Sequence, residues 1–182
     1  MLFFALFNGI ESFAVAVILY VLTDFIGVLM VARDRPYSEL RDSLKGKKVA
    51  IWTCNTCARL CFDIGGADAA ERLAAALKSD GIDVLGVLYA NAACIEKKVR
   101  EKNDEKIIGG ADVVLSLTCN IGALCAERVF GKEILNPVAT LGAGFVGENR
   151  VIFICEEKDG KLAVKELSEI AEEKGLWCSP YV

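Results

Sequence analysis

Short, nearly continuous apolar runs alternate with helix-like segments along the middle of the chain. Four of these runs are predicted strands: residues 47–54, 82–90, 111–119 and 133–141. The predicted helices beside them cover residues 33–46, 65–81, the first half of 95–110, and 122–132. Apolar strands separated by helices are typical of a parallel sheet that is buried on both faces. The sequence therefore predicts an α/β fold in three layers, in which a mostly parallel, Rossmann- or flavodoxin-like sheet carries helices on both faces.

The last third of the chain predicts one further strand, a turn at Asp159-Gly160 and a charged helix. Before that strand, Gly142-Ala-Gly144-Phe-Val-Gly147 matches the G-x-G-x-x-G pattern of dinucleotide sites. Such a site needs a helix directly after the glycines, whereas the residues that follow here read as a strand. We therefore expect a glycine loop that lets a partner or a cofactor approach the backbone.

The first 29 residues form an apolar segment, and residues 30–182 are predicted to be a single cysteine-rich α/β domain. From Ser12 to Ala32 the segment is long enough to span a bilayer, with Asp24 inside it. The Lys and Arg residues that follow would then leave the domain on the cytoplasmic side. One alternative is an upstream extension of the reading frame, because Met30 opens a stretch that reads like a natural start. Another is a buried helix or a contact in a homo-oligomer.

Composition excludes several classes of function. The chain has no histidine, which removes the commonest general base and the Ser–His and Cys–His nucleophile pairs. The net charge is −4 and no long basic run occurs, so nucleic-acid binding is not expected. Eight cysteines in a chain with a large apolar core indicate reduced thiols that bind metal in the cytoplasm, rather than an extracellular disulfide scaffold.

Five of the cysteines are predicted to meet at one edge of the sheet. Cys54 closes the first strand, Cys94 lies just after the second, and Cys119 closes the third. Cys57 and Cys61 start the next helix about one turn apart. In a parallel sheet these strand ends share the edge where ligands bind. Soft thiolates select iron–sulfur clusters or zinc, and five candidates for four places leave room for one spectator.

The other three cysteines have a plainer interpretation. Cys125, Cys155 and Cys178 are predicted to be small core residues, since free cysteine is often buried. A redox-active dithiol at Cys54 and Cys57 is a further alternative, because their C-x-x-C spacing falls on a strand-to-helix turn.

Several blocks of the sequence resemble a known family. They are MVARDRPYSELRDSLKGKKVAIWTCNTCARLCFDIGG (30–66), the lone Cys94, SLTCNIG (116–122) and ILNPVATLGAGFVGE (134–148). In this order they resemble the cysteine-rich partner subunit of methylenetetrahydrofolate reductase, the MetV-like or methylenetetrahydrofolate reductase C-terminal family. The resemblance covers about residues 30–148.

The resemblance implies an accessory subunit in one-carbon metabolism that pairs with a flavin-bearing reductase and passes electrons toward the flavin. It implies a [4Fe–4S] cluster or zinc on the family's cysteine blocks, where Cys54, Cys57, Cys61, Cys94 and Cys119 fall. The second cysteine-rich segment typical of the family is absent, so one metal site is expected and relay to a further carrier is not.

Four hypotheses follow for a chain without an evident acid–base pair. The first is a non-catalytic, electron-transferring subunit of an oxidoreductase, which predicts an exposed apolar patch beside the cysteines. The second is a zinc-stabilised structural or regulatory module that binds the same partner. The third is a stand-alone reductase. The fourth is a membrane-anchored redox protein, which depends on residues 1–29 being translated.

Overall fold

The computed structural model describes residues 28–33, 36–61 and 63–174. The strands are β1 (Val28–Arg33), β2 (Lys48–Cys54), β3 (Asp83–Ala90), β4 (Val113–Leu117), β5 (Glu133–Leu135), β6 (Val138–Val146), β7 (Ile152–Lys158) and β8 (Lys161–Glu166). The α-helices are α1 (Tyr37–Leu44), α2 (Cys57–Leu60), α3 (Ala67–Ser79), α4 (Glu96–Arg100), α5 (Asn120–Phe130) and α6 (Leu167–Lys174). These strands form a parallel sheet in the order β3-β2-β4-β5 and an antiparallel sheet in the order β1-β6-β7-β8.

The parallel sheet is buried on both faces, as its sequence predicts. Successive side chains of a strand point to opposite faces, and the neighbours Ile51 and Trp52 in β2 are both fully buried. On one face Phe130 of α5 meets Trp52 edge to face, with ring centroids 5.3 Å apart. Helix α3 contacts β2 and β3 and buries Leu73 and Leu77 in the core. The α/β fold with a covered parallel sheet is therefore confirmed.

The predicted strand over residues 133–141 divides between the two sheets. β5 ends at Leu135, and the chain enters the antiparallel sheet with β6 at Val138. Between them Pro137 has no N–H to donate, and the Asn136 side chain accepts a hydrogen bond from the backbone N–H of Val138 (3.1 Å). An Asn-Pro pair thus ends the parallel sheet and starts the next layer.

The prediction of a glycine loop at residues 142–147 is wrong, because Gly142 and Gly144 lie inside strand β6. Gly144 pairs with Val28 on one side and with Ile154 on the other. A Cβ atom at Gly144 would stand 1.9 Å from the Phe153 carbonyl oxygen. The close neighbour of these glycines is therefore the protein's own strand β7. As the sequence predicts, a strand follows the motif: a single 3₁₀ turn leads into β7.

The predicted turn at Asp159-Gly160 is confirmed. Both residues have positive φ angles, 54° and 72°, and they connect the antiparallel pair β7 and β8. Two consecutive positive φ angles give the right-handed twist that a two-residue hairpin requires, and Asp-Gly favours that conformation.

The apolar N-terminal segment is described only at its end. Residues 28–33 form β1, which pairs with β6, so the antiparallel sheet crosses the predicted boundary between residues 29 and 30. The part of the predicted bilayer span from Val28 onward is thus a strand and not a helix. The prediction for residues 1–27 lies outside the described residues. Among the helices that are described, none combines the length and the apolar character needed to cross a membrane.

Candidate functional site

Three cysteines lie at the carboxyl edge of the parallel sheet. Cys54 is the last residue of β2, Cys57 begins α2, and Cys119 directly precedes α5. The register of β2 with β4 sets Thr53 beside Leu117, so the two strands end side by side. Cys57 and Cys54 are close enough for their charges to act on the thiol of Cys119. The strand ends therefore place these three chain-distant cysteines at one edge of the sheet, and that they bind a metal stays a prediction.

Cys119 stands at the start of α5, where backbone N–H groups have no partner within the helix. Its thiol accepts hydrogen bonds from the backbone N–H groups of Gly122 and Ile121. Burial raises the pKa of the Cys119 thiol, and the N–H groups only partly offset this. The neighbouring thiols Cys57 and Cys54 raise the pKa further. Cys119 is therefore held neutral unless a cation enters the site, since a bound metal ion deprotonates a coordinating thiol.

Polar side chains fix the turn that carries the C-x-x-C motif. The Asn55 amide oxygen accepts the N–H of Ala67 at 2.7 Å, which ties the turn to the start of α3. The Thr56 hydroxyl accepts the N–H of Ala92 at 3.0 Å, which ties it to the loop after β3. The two residues between the cysteines thus hold them in place, and such preorganisation is what a ligand-binding shell needs.

Below this turn, the Thr53 side chain and Gly65 join three segments of the chain. The Thr53 hydroxyl donates to the Leu117 carbonyl (3.1 Å) and accepts the N–H of Gly66 (2.8 Å). A Cβ atom at Gly65 would stand 2.5 Å from the Leu117 carbonyl oxygen and 2.6 Å from the Ala58 Cβ. Only a residue without a side chain fits at this crossing, which brings the end of β4 against α2.

The two remaining predicted site cysteines have different surroundings. Cys61 is fully buried, and its N–H donates to the Cys57 carbonyl at 3.0 Å, so it follows α2 into the core. Cys94 is exposed in the loop between β3 and α4. The nearby thiol whose pKa it raises is that of Cys125 on α5. The structure thus brings Cys94 to Cys125, a neighbour that the sequence does not indicate.

The cysteines interpreted as core residues are less buried than expected. Cys125 in α5 and Cys155 in β7 are both half-buried, and Cys155 lies in the antiparallel sheet opposite Val164. Cys178 lies outside the described residues. All seven cysteines in the described part of the chain are reduced thiols.

The positions and chemistry of the thiols bear on the predicted metal. Across residues 28–33, 36–61 and 63–174, no three Cys, Asp or Glu side chains converge closely enough to hold one metal ion. The donor chemistry at the sheet edge is nevertheless soft, because the thiols of Cys54, Cys57 and Cys119 lie there and the first two raise the pKa of the third.

Exposed apolar side chains surround the cysteines. Each of them lies within two residues of a cysteine, and between 41% and 64% of its surface is exposed: Leu60, Ile95, Ile121 and Leu124. We call these four residues the apolar rim. Large apolar side chains exposed beside a buried polar site are typical of a surface that binds a partner. The electron-transfer hypothesis predicts an exposed apolar patch beside the cysteines, and these four side chains are the candidates for it.

A cavity of about 440 Å³ opens between α2 and the start of α3. Arg59 and Arg72 line it together with Asp63 and Asp68, so positive and negative side chains are equal in number. The N–H groups of Gly66 and Ala67 at this helix start are already bound by Thr53 and Asn55. The cavity adds no further ligand to the cysteine site.

Comparison with protein families, with characterised proteins and with solved structures finds no match to this chain.

Proposed function

We propose that this chain is an iron–sulfur protein that serves as the non-catalytic, electron-transferring subunit of a flavin-dependent reductase. The observation that carries the proposal is the convergence of Cys54, Cys57 and Cys119 from two strand ends and a helix start. A thiol held neutral by burial, at a helix start that donates N–H groups, is suited to become a thiolate once a cationic iron site is bound.

The proposed ligands are Cys54, Cys57, Cys61 and Cys119. Cys61 follows Cys57 by one helical turn and is buried, so it can complete a four-thiolate set from inside. Cys94 is the fifth candidate and becomes the spectator, because its near neighbour is Cys125. When bound, a [4Fe–4S] cluster supplies one-electron transfer. The protein's own part is to hold the thiols, to donate N–H groups to sulfur and to exclude water.

We propose the cluster in preference to zinc because of the sequence resemblance over about residues 30–148. Soft thiolates bind both groups.

The proposed partner is a flavoprotein of the methylenetetrahydrofolate reductase type. Two observations support it: the sequence resemblance over about residues 30–148, and the apolar rim around the cysteines. A partner seated on the rim would bring its flavin toward the thiols and shield both from water. The proposed location is the cytoplasm, where cysteine thiols stay reduced.

The test is to purify the full chain without oxygen, to quantify iron, sulfide and zinc per chain, and to record the visible spectrum. The proposal expects about four irons and four sulfides per chain, with a broad brown absorbance. One zinc per chain without colour would contradict electron transfer and support the zinc-stabilised module. Such a module should unfold when a chelator is added. A protein that binds neither metal would overturn both.

The partner is tested separately by mixing the chain with a purified methylenetetrahydrofolate reductase-type flavoprotein. We expect a complex by size-exclusion chromatography that Leu124→Asp abolishes. Leu162→Asp is the matched control, because Leu162 is 77% exposed but lies in the antiparallel sheet, which carries none of the proposed ligands.

A further inference from the structure

Two contacts join the loop after β3, which carries Cys94, to helix α5, which carries Cys125. On one side, the Ala93 Cβ stands 3.5 Å from the position that a Cβ atom at Gly122 would occupy. On the other side, the Glu96 carboxylate pairs with Arg128 at 3.7 Å.

The two contacts set the loop in register with the helix. Along the loop, the contacts at Ala93 and Glu96 are three residues apart, a span of up to about 10 Å. Along α5, the matching contacts at Gly122 and Arg128 are six residues apart, about 9 Å at 1.5 Å per residue. Cys125 lies halfway along this helical span, and Cys94 directly follows the first contact. Positions 122, 125 and 128 recur every three residues, so they lie on neighbouring parts of one helix face. The register therefore sets the two cysteines against each other.

Electrostatics agree with this geometry. The Cys94 thiol is among the groups that raise the pKa of Cys125, after burial and Glu96, whereas Arg128 and Arg100 lower it. Cys94 is exposed and Cys125 is half-buried, so solvent molecules reach Cys94 first. Neither residue belongs to the proposed ligand set.

We propose that Cys94 and Cys125 form a reversible disulfide, a dithiol site that is separate from the metal ligands and reacts with low-molecular-weight disulfides. The Cys94 thiolate attacks one sulfur of the small disulfide, and the sulfur–sulfur bond of that molecule breaks to release one thiol. The Cys125 thiolate then attacks the Cys94 sulfur and releases the second small thiol. The protein loses two electrons and two protons, and the small disulfide gains them.

The product would join the loop after β3 to α5, the helix that begins directly after Cys119. Oxidation would therefore tie down one wall of the candidate site without consuming a ligand. Two members of the apolar rim, Ile95 and Leu124, are the immediate sequence neighbours of these cysteines. The dithiol thus lies within the proposed partner surface.

The test equilibrates the full chain without oxygen in glutathione buffers of increasing oxidised fraction, followed by alkylation and tryptic mass spectrometry. We expect a linkage between the peptides 79–97 and 107–128, which hold Cys94 and Cys125. The second peptide also holds Cys119, so fragmentation between residues 119 and 125 assigns the bond. A linkage to Cys119, or no linkage at any buffer ratio, would overturn the proposal.

Two variants separate this proposal from the metal site. Cys125→Ser should trap one glutathione on Cys94, and Cys94→Ser should take up none at Cys125 under the same conditions. Both variants should keep the metal content of the unmodified chain. Loss of metal in Cys94→Ser would make Cys94 a ligand and overturn the disulfide while leaving the proposed function in place. A chain without metal that still forms the linkage would overturn only the proposed function.

Discussion

The two sheets of this protein use their cysteines and glycines differently. In the parallel sheet, strands end side by side, so Cys54 and Cys119 meet although they are far apart in sequence. In the antiparallel sheet, Cys155 lies within β7, opposite Val164 on the neighbouring strand, and the strand does not end there. Gly65 lets a helix approach a strand end, whereas Gly144 lets strand β7 approach β6. Parallel strand ends gather functional groups, and paired antiparallel strands separate them.

The largest difference between the sheets should appear in the energy of core packing. Leu73 in α3 is 1% exposed and packs in the core over the parallel sheet, whereas Leu162 in β8 is 77% exposed. We expect Leu73→Ala to lower the free energy of unfolding by about 3 kcal/mol, because it leaves a cavity in the core. Leu162→Ala should change it by less than about 0.5 kcal/mol. Urea titration of both variants measures this, and equal losses would contradict the assignment of the core.

The glycines give the next largest effect. Gly65→Ala should cost about 2 kcal/mol, because its Cβ would meet the Leu117 carbonyl oxygen at 2.5 Å and force the strand end from α2. The same variant should lose metal, since the displaced segment carries Cys57 and leads to Cys119. Thermal unfolding and metal content are to be measured together.

Gly142→Ala and Gly144→Ala are the controls in the antiparallel sheet. A Cβ atom at Gly142 would lie 3.4 Å from Ile154, so this variant should be nearly neutral. Gly144→Ala should destabilise the chain, because its Cβ would lie 1.9 Å from the Phe153 carbonyl oxygen, yet the molecules that fold should keep their metal. If Gly65→Ala kept full metal content, the crossing at Leu117 would not shape the site.

The smallest effect is the pH dependence of the Cys119 thiol in metal-free protein. Burial raises its pKa, so the folded state favours the neutral thiol. This preference stabilises the folded state fully below the thiol pKa of the unfolded chain, about 8.5. The stabilisation is lost as the pH rises through the raised pKa of Cys119 in the folded state. Iodoacetamide should therefore alkylate Cys119 more slowly than the exposed Cys94 at pH 8. Peptide mapping of the two rates checks this, and a faster reaction at Cys119 would contradict the raised pKa.

The parallel sheet could be predicted because its signals are local and strong. The predicted strand at residues 82–90 differs from β3 by one residue, and α5 ends at Gly131 in a left-handed conformation, as the sequence indicates. Strand β6 could not be predicted in full, because Gly142 and Gly144 resemble a loop when their partner strand is unknown. Their role depends on a contact with β7, which local sequence does not contain.

The candidate site likewise has a part that local sequence predicts and a part that it does not. Cys54 and Cys119 were predictable, because strand ends of a parallel sheet share an edge by topology alone. The pairing of Cys94 with Cys125 depends on how the loop after β3 lies along α5, and the Glu96–Arg128 ion pair is visible only in the structure. The Thr53 and Asn55 hydrogen bonds are equally non-local. Threonine and asparagine beside a C-x-x-C motif are the signal that could have suggested them.

The most direct test of the central claim compares one cysteine from each sheet. Cys54→Ser and Cys155→Ser are to be purified without oxygen beside the unmodified chain, and iron, zinc and sulfide are to be counted per chain. Cys54→Ser should lose most of its metal and its visible absorbance, whereas Cys155→Ser should keep both. Equal metal content in the two variants would contradict the claim that the carboxyl edge of the parallel sheet is the metal site.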